Sequence, residues 1–395
     1  MIGVPGISTL IMLAVVAVSL RRALFLAAVI SPPRPLPSAP RSLPTLSLLV
    51  PARNEAAVAA RLLRGIGKLD YPIGKLQVVL VCNGCCDATP SSFRRWSQGR
   101  PGVEVLELPH PGKAAALNAG LRRSRGEYLV VLDADLDPLA DLLKELIRPF
   151  GDPRVGAAAA YLRPSNAGRN LVSLYAALND WVHQLVTSAG KDRLRLNPPT
   201  LGAAAFRRTA LLACGGFPDV PSGEDVAIGI ALVRQGWQTR FVPTAIADNT
   251  VCERLGDVWR QRVRWNRGTA TAHGAGRGAR RWGDRRSWGQ RLEEIAAASG
   301  CADRLIFALA LAGAALGWVP LWVPLLYLLV PSFGSALALH RGASLVGLPR
   351  VLLALLCLFP LDAAAAATAM VRHSLQRPHR WLSPRRITEP PTGER

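Results

Sequence analysis

The sequence predicts an α/β domain with a mainly parallel sheet, flanked by membrane-spanning helices. Two patterns and one imbalance carry that expectation. Short apolar runs alternate with helix-like stretches between residues 45 and 250, the pattern of βαβ units around a parallel sheet. Long uncharged stretches lie on both sides of that region. Half of the 395 residues are apolar, yet the formal net charge is +21. Apolar spans with basic flanks at a membrane surface reconcile the two.

Residues 1–20 carry no charge, about the length a bilayer core requires, and Arg21 and Arg22 follow at once. A cleavable signal would carry its positive charge before the apolar stretch, so residues 1–30 are expected to be an N-terminal transmembrane anchor. The positive-inside rule then puts the chain from residue 21 onward in the cytoplasm. Residues 31–44 are Pro-rich and predict an extended linker. Within 45–250, buried strands are expected at Leu46–Val50, Val78–Cys82, Val103–Leu108 and Tyr128–Leu132. Helices are expected at Glu55–Ile66, Lys113–Ser124 and Leu139–Phe150.

Residues 251–303 are basic, with Trp259, Trp265, Trp282 and Trp288 interleaved, which predicts amphipathic helices on the membrane surface. Residues 304–371 hold the C-terminal spans, two or three in number. Leu305–Leu339 is uncharged but interrupted by Pro320, Pro324 and Pro331, and Val351–Val371 contains Asp362. An acid there is costly in lipid and is expected to face another helix or an interface. The basic tail 372–395 is expected to be cytoplasmic, making this a multi-pass protein of the inner or plasma membrane.

The arginines cluster at Arg254, Arg260, Arg262, Arg264 and Arg267 and again over 277–291, just before an apolar run. No helix-turn-helix, zinc-finger or RNA-recognition pattern accompanies them, so a membrane partner is expected and no nucleic acid. Seven cysteines give little. Cys82, Cys85 and Cys86 lack the second ligand pair a structural zinc needs, and free thiols are the expectation.

The strongest local pattern is Val130-Val131-Leu132-Asp133-Ala134-Asp135, an apolar strand ending in two carboxylates. Strand alternation would point Asp133 and Asp135 the same way, where they suit a hard divalent cation and leave room for phosphate oxygens. An exposed acidic turn gives the same letters. Two earlier strands end in polar turns, Pro51-Ala52-Arg53-Asn54-Glu55 and Asn83-Gly84-Cys85-Cys86-Asp87, suited to a base and ribose or to ordinary loop chemistry. Gly112-Lys113 opens a helix whose free N–H groups and Lys can meet an anion. Glu224-Asp225 precede an apolar helix, where a carboxylate either caps the helix or deprotonates a hydroxyl. Gln261, Arg264 and Trp265 share one helical face, suited to a diphosphate and a sugar ring. Arg262 fits a basic interfacial helix better.

In this order the motifs resemble those of membrane-bound family 2 glycosyltransferases, the branch of the cellulose, chitin, hyaluronan and poly-N-acetylglucosamine synthases. The matching segments are P-A-R-N-E at 51–55, N-G-C-C-D at 83–87, G-K-A-A-A-L-N-A-G at 112–120, D-A-D at 133–135, G-G-F at 215–217, E-D at 224–225 and Q-R-V-R-W at 261–265. The resemblance implies a GT-A fold, Rossmann-like and mainly parallel, an inverting displacement and a Mg or Mn cation. It implies a nucleotide-sugar donor, UDP-linked, carrying a hexosyl or N-acetylhexosaminyl unit. The acceptor would be a membrane-associated glycan or lipid of cell-envelope glycan synthesis. Carried over, Pro51, Arg53, Asn54, Glu55, Asn83 and Lys113 line the nucleotide site. Asp133 meets ribose or metal, Asp135 binds the metal, and Asp225 is the general base with Glu224 beside it. Gln261, Arg264 and Trp265 close over diphosphate and acceptor.

The chain departs from the pattern where Cys82-Asn83 stands in place of a strand-ending Asp. The E-D pair lacks a preceding Thr, and F-x-V-T-G is absent after Q-x-x-R-W. Three predicted spans are few for a polymer channel, which keeps a single transfer to a lipid-linked acceptor beside processive synthesis. Two rival readings stand against transfer. A sugar nucleotidyltransferase of related fold would release pyrophosphate. A non-enzymatic basic membrane protein would bind anionic lipid and turn over nothing.

Overall fold

The computed structural model describes residues 4–38, 40, 42–200, 202–275, 285–298, 300, 302–341 and 348–375. Trp282, the arginines at 277–281 and the basic tail beyond 375 lie outside these residues.

Eight strands form one sheet in the order β3-β2-β1-β4-β7-β6-β8-β5. The strands are β1 (Leu46–Ala52), β2 (Leu76–Asn83), β3 (Val103–Leu108), β4 (Tyr128–Leu132), β5 (Asp137–Pro138), β6 (Val155–Pro164), β7 (Ala203–Arg207) and β8 (Gln238–Asn249). β1 to β4 run parallel to one another, as do β6 and β8, while β7 and β5 pair antiparallel with their neighbours. All of β1 and β4 is buried, which fits their unbroken apolar runs; a parallel strand covered on both faces needs no alternation. The four expected strands sit where the sequence put them, extended by up to two residues at either end. β6 and β7 went unpredicted because they are alanine-rich, Gly156–Ala160 and Ala203–Ala205, and alanine is a poor strand signal.

Helices α2 (Ala56–Gly67), α3 (Thr89–Ser97), α4 (Lys113–Arg123) and α5 (Leu142–Ile147) connect the first strands. The stretch expected as one helix over 139–150 is α5 followed by a 3-10 turn at Arg148–Gly151, because Pro149 lacks the N–H an α-helix would need there. After β6 come α6 (Leu171–Trp181), a π-helical stretch Val182–Ser188 and α7 (Ala189–Arg193). α8 (Arg208–Ala213) and α9 (Glu224–Arg234) follow β7. Two buried clusters cover the two faces of the sheet, one around Leu48, Leu80 and Val130, the other around Leu49, Val79 and Phe206. The chain returns from β3 to place β4 on the far side of β1, so the order reverses between them. A crevice at the carboxyl ends of β1 and β4 is where such sheets take ligands.

The remaining helices are α10 (Leu255–Ala275), α11 (Trp288–Ala298), α12 (Ala302–Ala315), α13 (Trp322–Arg341) and α14 (Leu348–Ser374), with α1 (Val4–Ile30) from the N-terminus. α1, α13 and α14 are long and apolar enough to cross a membrane, and α11 with α12 forms a pair bent by 66° that passes the same test together. The uncharged stretch 305–339 is therefore divided between two helices. Arg21 and Arg22 do not end the first helix, which runs on to Ile30; they lie inside it and bond Glu293 and Asp303, each at 2.6 Å. A third cluster, with Tyr175, Leu178, Trp181, Ala338 and Leu358, packs α6 and β6 against α13 and α14 and joins sheet to bundle.

Candidate active site

The carboxyl-end loops of β1, β2 and β4, the start of α4 and α9, and one face of α10 surround a single cavity of about 1490 Å³. Pro51, Arg53, Glu55, Asn83, Lys113, Asp133, Asp135, Glu224, Asp225, Gln261, Arg264 and Trp265 all line it. Among the sequence candidates only Asn54 does not. It sits at φ 55°, and its Oδ1 accepts from the Cys86 N–H at 2.9 Å, tying the first loop to the second. Asn54 is a loop clamp here, a role its left-handed backbone conformation suits. Asp87 is similarly occupied, its two oxygens accepting from the Thr89 and Ala56 N–H groups at 3.0 Å.

The two carboxylates after β4 owe their placement to a turn and not to strand alternation. β4 ends at Leu132, and the Leu136 N–H closes back on the Asp133 carbonyl at 3.1 Å. The turn is held from outside: the Asp133 N–H bonds the Gly202 carbonyl at 2.7 Å, and Arg61 donates to the Asp135 carbonyl at 3.0 Å. Arg61 lines the cavity and was missed; one arginine in an amphipathic helix carries no pattern.

Lys113 is not free to meet an anion by itself. Its Nζ is 2.9 Å from Asp133 Oδ1 and 2.8 Å from Glu224 Oε1, bridging the turn after β4 to the start of α9. The loop before it is set by Asn83, whose Oδ1 accepts from the Gly112 N–H at 2.7 Å. Glu224 does not cap α9 either. The capping position is Gly223, at φ 82°, where a Cβ would also run into the Gly268 carbonyl at 2.7 Å, so α9 and α10 meet closely at that point. That contact brings the Q-x-x-R-W helix over the acid pair.

The charges divide the acids into two kinds. Glu224 is held below the usual carboxylate range: burial pushes it up, but Lys113, by charge and hydrogen bond, and Arg264 outweigh this. Asp225, one residue on, is pushed up to about 7, by burial first and by the Glu224 charge second, with Lys113 opposing. Asp133 is raised by burial and by Asp135, against the pull of Lys113. Neighbouring carboxyl groups driven apart in this way mark separate chemical roles. A proton acceptor with a value near 7 is suited to work at neutral pH.

Arg262 departs from the interfacial placement. It is buried, its guanidinium lies 3.3 Å from Asp362 on α14, and it stacks over Trp265 at 5.1 Å. Asp362 therefore faces other helices, one of the two placements open to it, and also accepts from the Tyr175 hydroxyl at 2.8 Å. Among the described residues no group of three or more His, Cys, Asp or Glu could hold a metal ion, and Cys82, Cys85 and Cys86 are free thiols.

A mixed sheet with a reversed strand order, an acidic turn at its switch point and a basic helix closing the crevice define a glycosyltransferase of GT-A fold. The chain belongs to the family described as glycosyltransferase like family 2, whose model matches residues 44–268. It is 31% identical over 251 residues to an N-acetylglucosaminyltransferase of Neorhizobium galegae, covering 60% of this chain and 58% of that one. It is also 31% identical over 237 residues to a beta-monoglucosyldiacylglycerol synthase of Trichormus variabilis, covering 58% and 49%. The chain thus spans about half the length of the curated relatives it matches. Among solved structures it is similar to the mannosyltransferase PcManGT of Pyrobaculum calidifontis, in complex with GDP-Man and Mn2+. The TM-score is 0.64 at 26% identity, over 93% of this chain and 99% of that one.

Proposed function

We propose that this protein is an inverting, cation-dependent transferase that moves a hexosyl or N-acetylhexosaminyl unit from a nucleotide sugar, UDP-linked, to a membrane-associated glycan or lipid. The observation that carries this reading is the division of one cavity between a donor half, Asp133 and Asp135, and an acceptor half, Asp225, with Lys113 and Glu224 between them. The acceptor oxygen bonds to the anomeric carbon as the bond from that carbon to the diphosphate oxygen breaks. The electron pair leaves with the nucleoside diphosphate, and the hydroxyl proton passes to the Asp225 carboxylate. Arg264, Gln261 and Trp265 line the same cavity, and in this reading the guanidinium and amide grip the departing diphosphate while the indole meets a sugar.

The residues present fit a divalent cation. Asp133 and Asp135 feel each other's charge, which raises Asp133, and a cation would relieve that repulsion. Among the described residues no third carboxylate, His or Cys joins the pair, and two carboxylates suit an ion that keeps water and phosphate oxygens in its shell. Its contribution when bound is neutralisation of the diphosphate charge. The related mannosyltransferase, solved with Mn2+, supports the same assignment. Helices α1, α13 and α14, with Arg34 and Arg41 in the segment that follows α1, support a multi-pass protein with this cavity on the cytoplasmic face.

The deciding experiment is a donor screen with purified protein in detergent. Release of nucleoside diphosphate that requires Mg or Mn is expected. Release of pyrophosphate would turn the reading to a nucleotidyltransferase, and no turnover of any nucleotide sugar would turn it to a lipid-binding protein.

Gly202→Ala tests the donor half without removing a charge. A Cβ at Gly202 would stand 2.5 Å from Asp133 Oδ2, so the carboxylate must move. Transfer is expected to fall about 10²-fold, the cost of an ångström-scale misplacement, with little change in folding. Wild-type kinetics in a folded Gly202→Ala protein would remove Asp133 from the donor site.

A further inference from the structure

The cavity does not stop at the acid pair. It continues between the apolar helices, where Phe307 and Leu311 of α12, Leu328 of α13, and Leu355 and Phe359 of α14 line it. Leu311 and Leu328 are exposed, 52% and 41%. Between this apolar end and Asp225 lies a belt of charges unrelated to the donor motifs. Arg21 and Lys191 share Glu293 at 2.6 and 2.8 Å. Arg22 bonds Asp303 at 2.6 Å and the Tyr327 hydroxyl at 3.0 Å. Arg262 and Arg304 share Asp362 at 3.3 and 3.5 Å, and Arg304 also lies 3.5 Å from Asp303. Five cations thus face three carboxylates, and Asp180, close enough to Arg262 for their charges to interact, makes only four.

The belt is also incompletely bonded. Arg262 is 8% exposed; its Nε meets Asp362 Oδ1 only as an ion pair at 3.3 Å, and its Nη2 is buried with no hydrogen-bond acceptor, as is Arg22 Nη1. Asp303 Oδ1 and Asp362 Oδ1 are buried and meet only these ion-pair partners, Arg304 Nη1 at 3.5 Å and Arg262 Nε at 3.3 Å. Buried polar groups in a native protein are normally satisfied, so two unpartnered guanidinium nitrogens lining one cavity call for a ligand with acceptors. The excess positive charge calls for an anion. Phosphate oxygens meet the guanidinium groups.

Resting on the transferase reading, we propose that the acceptor is a membrane lipid whose head combines a phosphate with the reacting hydroxyl. Arg262 and Arg22 hold the phosphate, and the tail lies in the crevice between α12, α13 and α14. The head then presents its hydroxyl to Asp225, while the donor is held from the opposite loops. A growing hydrophilic polymer would instead have to run along the apolar crevice. Transfer to lipid is therefore a single addition at the membrane surface.

Binding tests this without a donor. The full chain in an uncharged detergent is titrated with dioleoyl phosphatidylglycerol, with dioleoylglycerol, which lacks the phosphate, and with glycerol phosphate, which lacks the tail. Phosphatidylglycerol is expected to bind at least about tenfold more tightly than either, a difference near 1.4 kcal/mol. Arg262→Gln should bring it down to the level of dioleoylglycerol. Leu328→Trp, at an exposed position that does not threaten folding, should weaken both lipids and leave glycerol phosphate unchanged. Equal binding of dioleoylglycerol overturns the phosphate site, and equal binding of glycerol phosphate overturns the crevice. Phosphatidylglycerol binding that survives both substitutions is adsorption to a basic surface and overturns the whole proposal. Metal-dependent donor binding is measured separately, so its absence would sink the transferase reading while the lipid result stands by itself.

Discussion

Asp225→Asn is expected to bind donor as the wild type does and to lose transfer by about 10²–10⁴-fold, the range for removing a general base. The substitution is nearly isosteric. Asp225 Oδ1 accepts from the Val226 N–H at 2.8 Å, and an amide oxygen can accept it equally well. What disappears is the proton acceptor. Because Asp225 is raised to about 7, kcat/KM in the wild type should climb as pH rises through that value, and the variant should lack this limb. Stability runs the other way. The folded chain holds the Asp225 proton up to about 7, whereas an unfolded chain releases it near ~4, so the wild type loses stability as pH rises between the two. Asp225→Asn is spared that loss, and its thermal midpoint in detergent should gain on the wild type over the same window. A variant that transfers at the wild-type rate would remove Asp225 from the chemistry, whatever its stability.

Asp135→Asn should have the second largest effect, a fall of about 10²–10³-fold in transfer with a raised cation requirement, as expected when several kcal/mol of charge stabilisation are lost. It is the cleaner of the two acids to change. Asp133 also holds Lys113, so removing it frees a lysine that bridges to Glu224 and disturbs the acceptor half as well. Asp135 exerts its charge on Asp133, and neutralising it should lower the Asp133 carboxyl. Isothermal titration with Mn, in the presence of donor, measures the change. Unaltered cation affinity in a folded Asp135→Asn protein would mean that the ion is held elsewhere.

Much of the proposed donor half was legible in the sequence. The four apolar runs at 46–50, 78–82, 103–108 and 128–132 resembled buried strands, being short for buried helices and bounded by polar turns. Their carboxyl ends carried the polar motifs, and the ordered set from Pro51 to Trp265 carried the family. Both follow from local chemistry, since a buried parallel strand must be apolar throughout and a ligand loop must follow it directly. Where that logic failed, the cause is visible in single residues. Alanine strands β6 and β7 owe their form to the space available between neighbours and not to their own propensity. Asn54 satisfied a motif and then turned its side chain to the adjacent loop.

Three things were decided only by the tertiary structure. One is the partnership of Lys113 with both Asp133 and Glu224, which joins the two halves of the cavity. The second is the raised value of Asp225, which depends on burial and on the neighbouring Glu224 charge once Lys113 has taken hold of it. The third is the belt around Arg22, Arg262 and Arg304, whose partners Asp303 and Asp362 lie between 1 and 281 positions away along the chain. Charges read one at a time along a sequence look like a basic membrane face. Only when helices from both ends pack together does it become clear which are neutralised, which are left wanting a partner, and that those face one cavity.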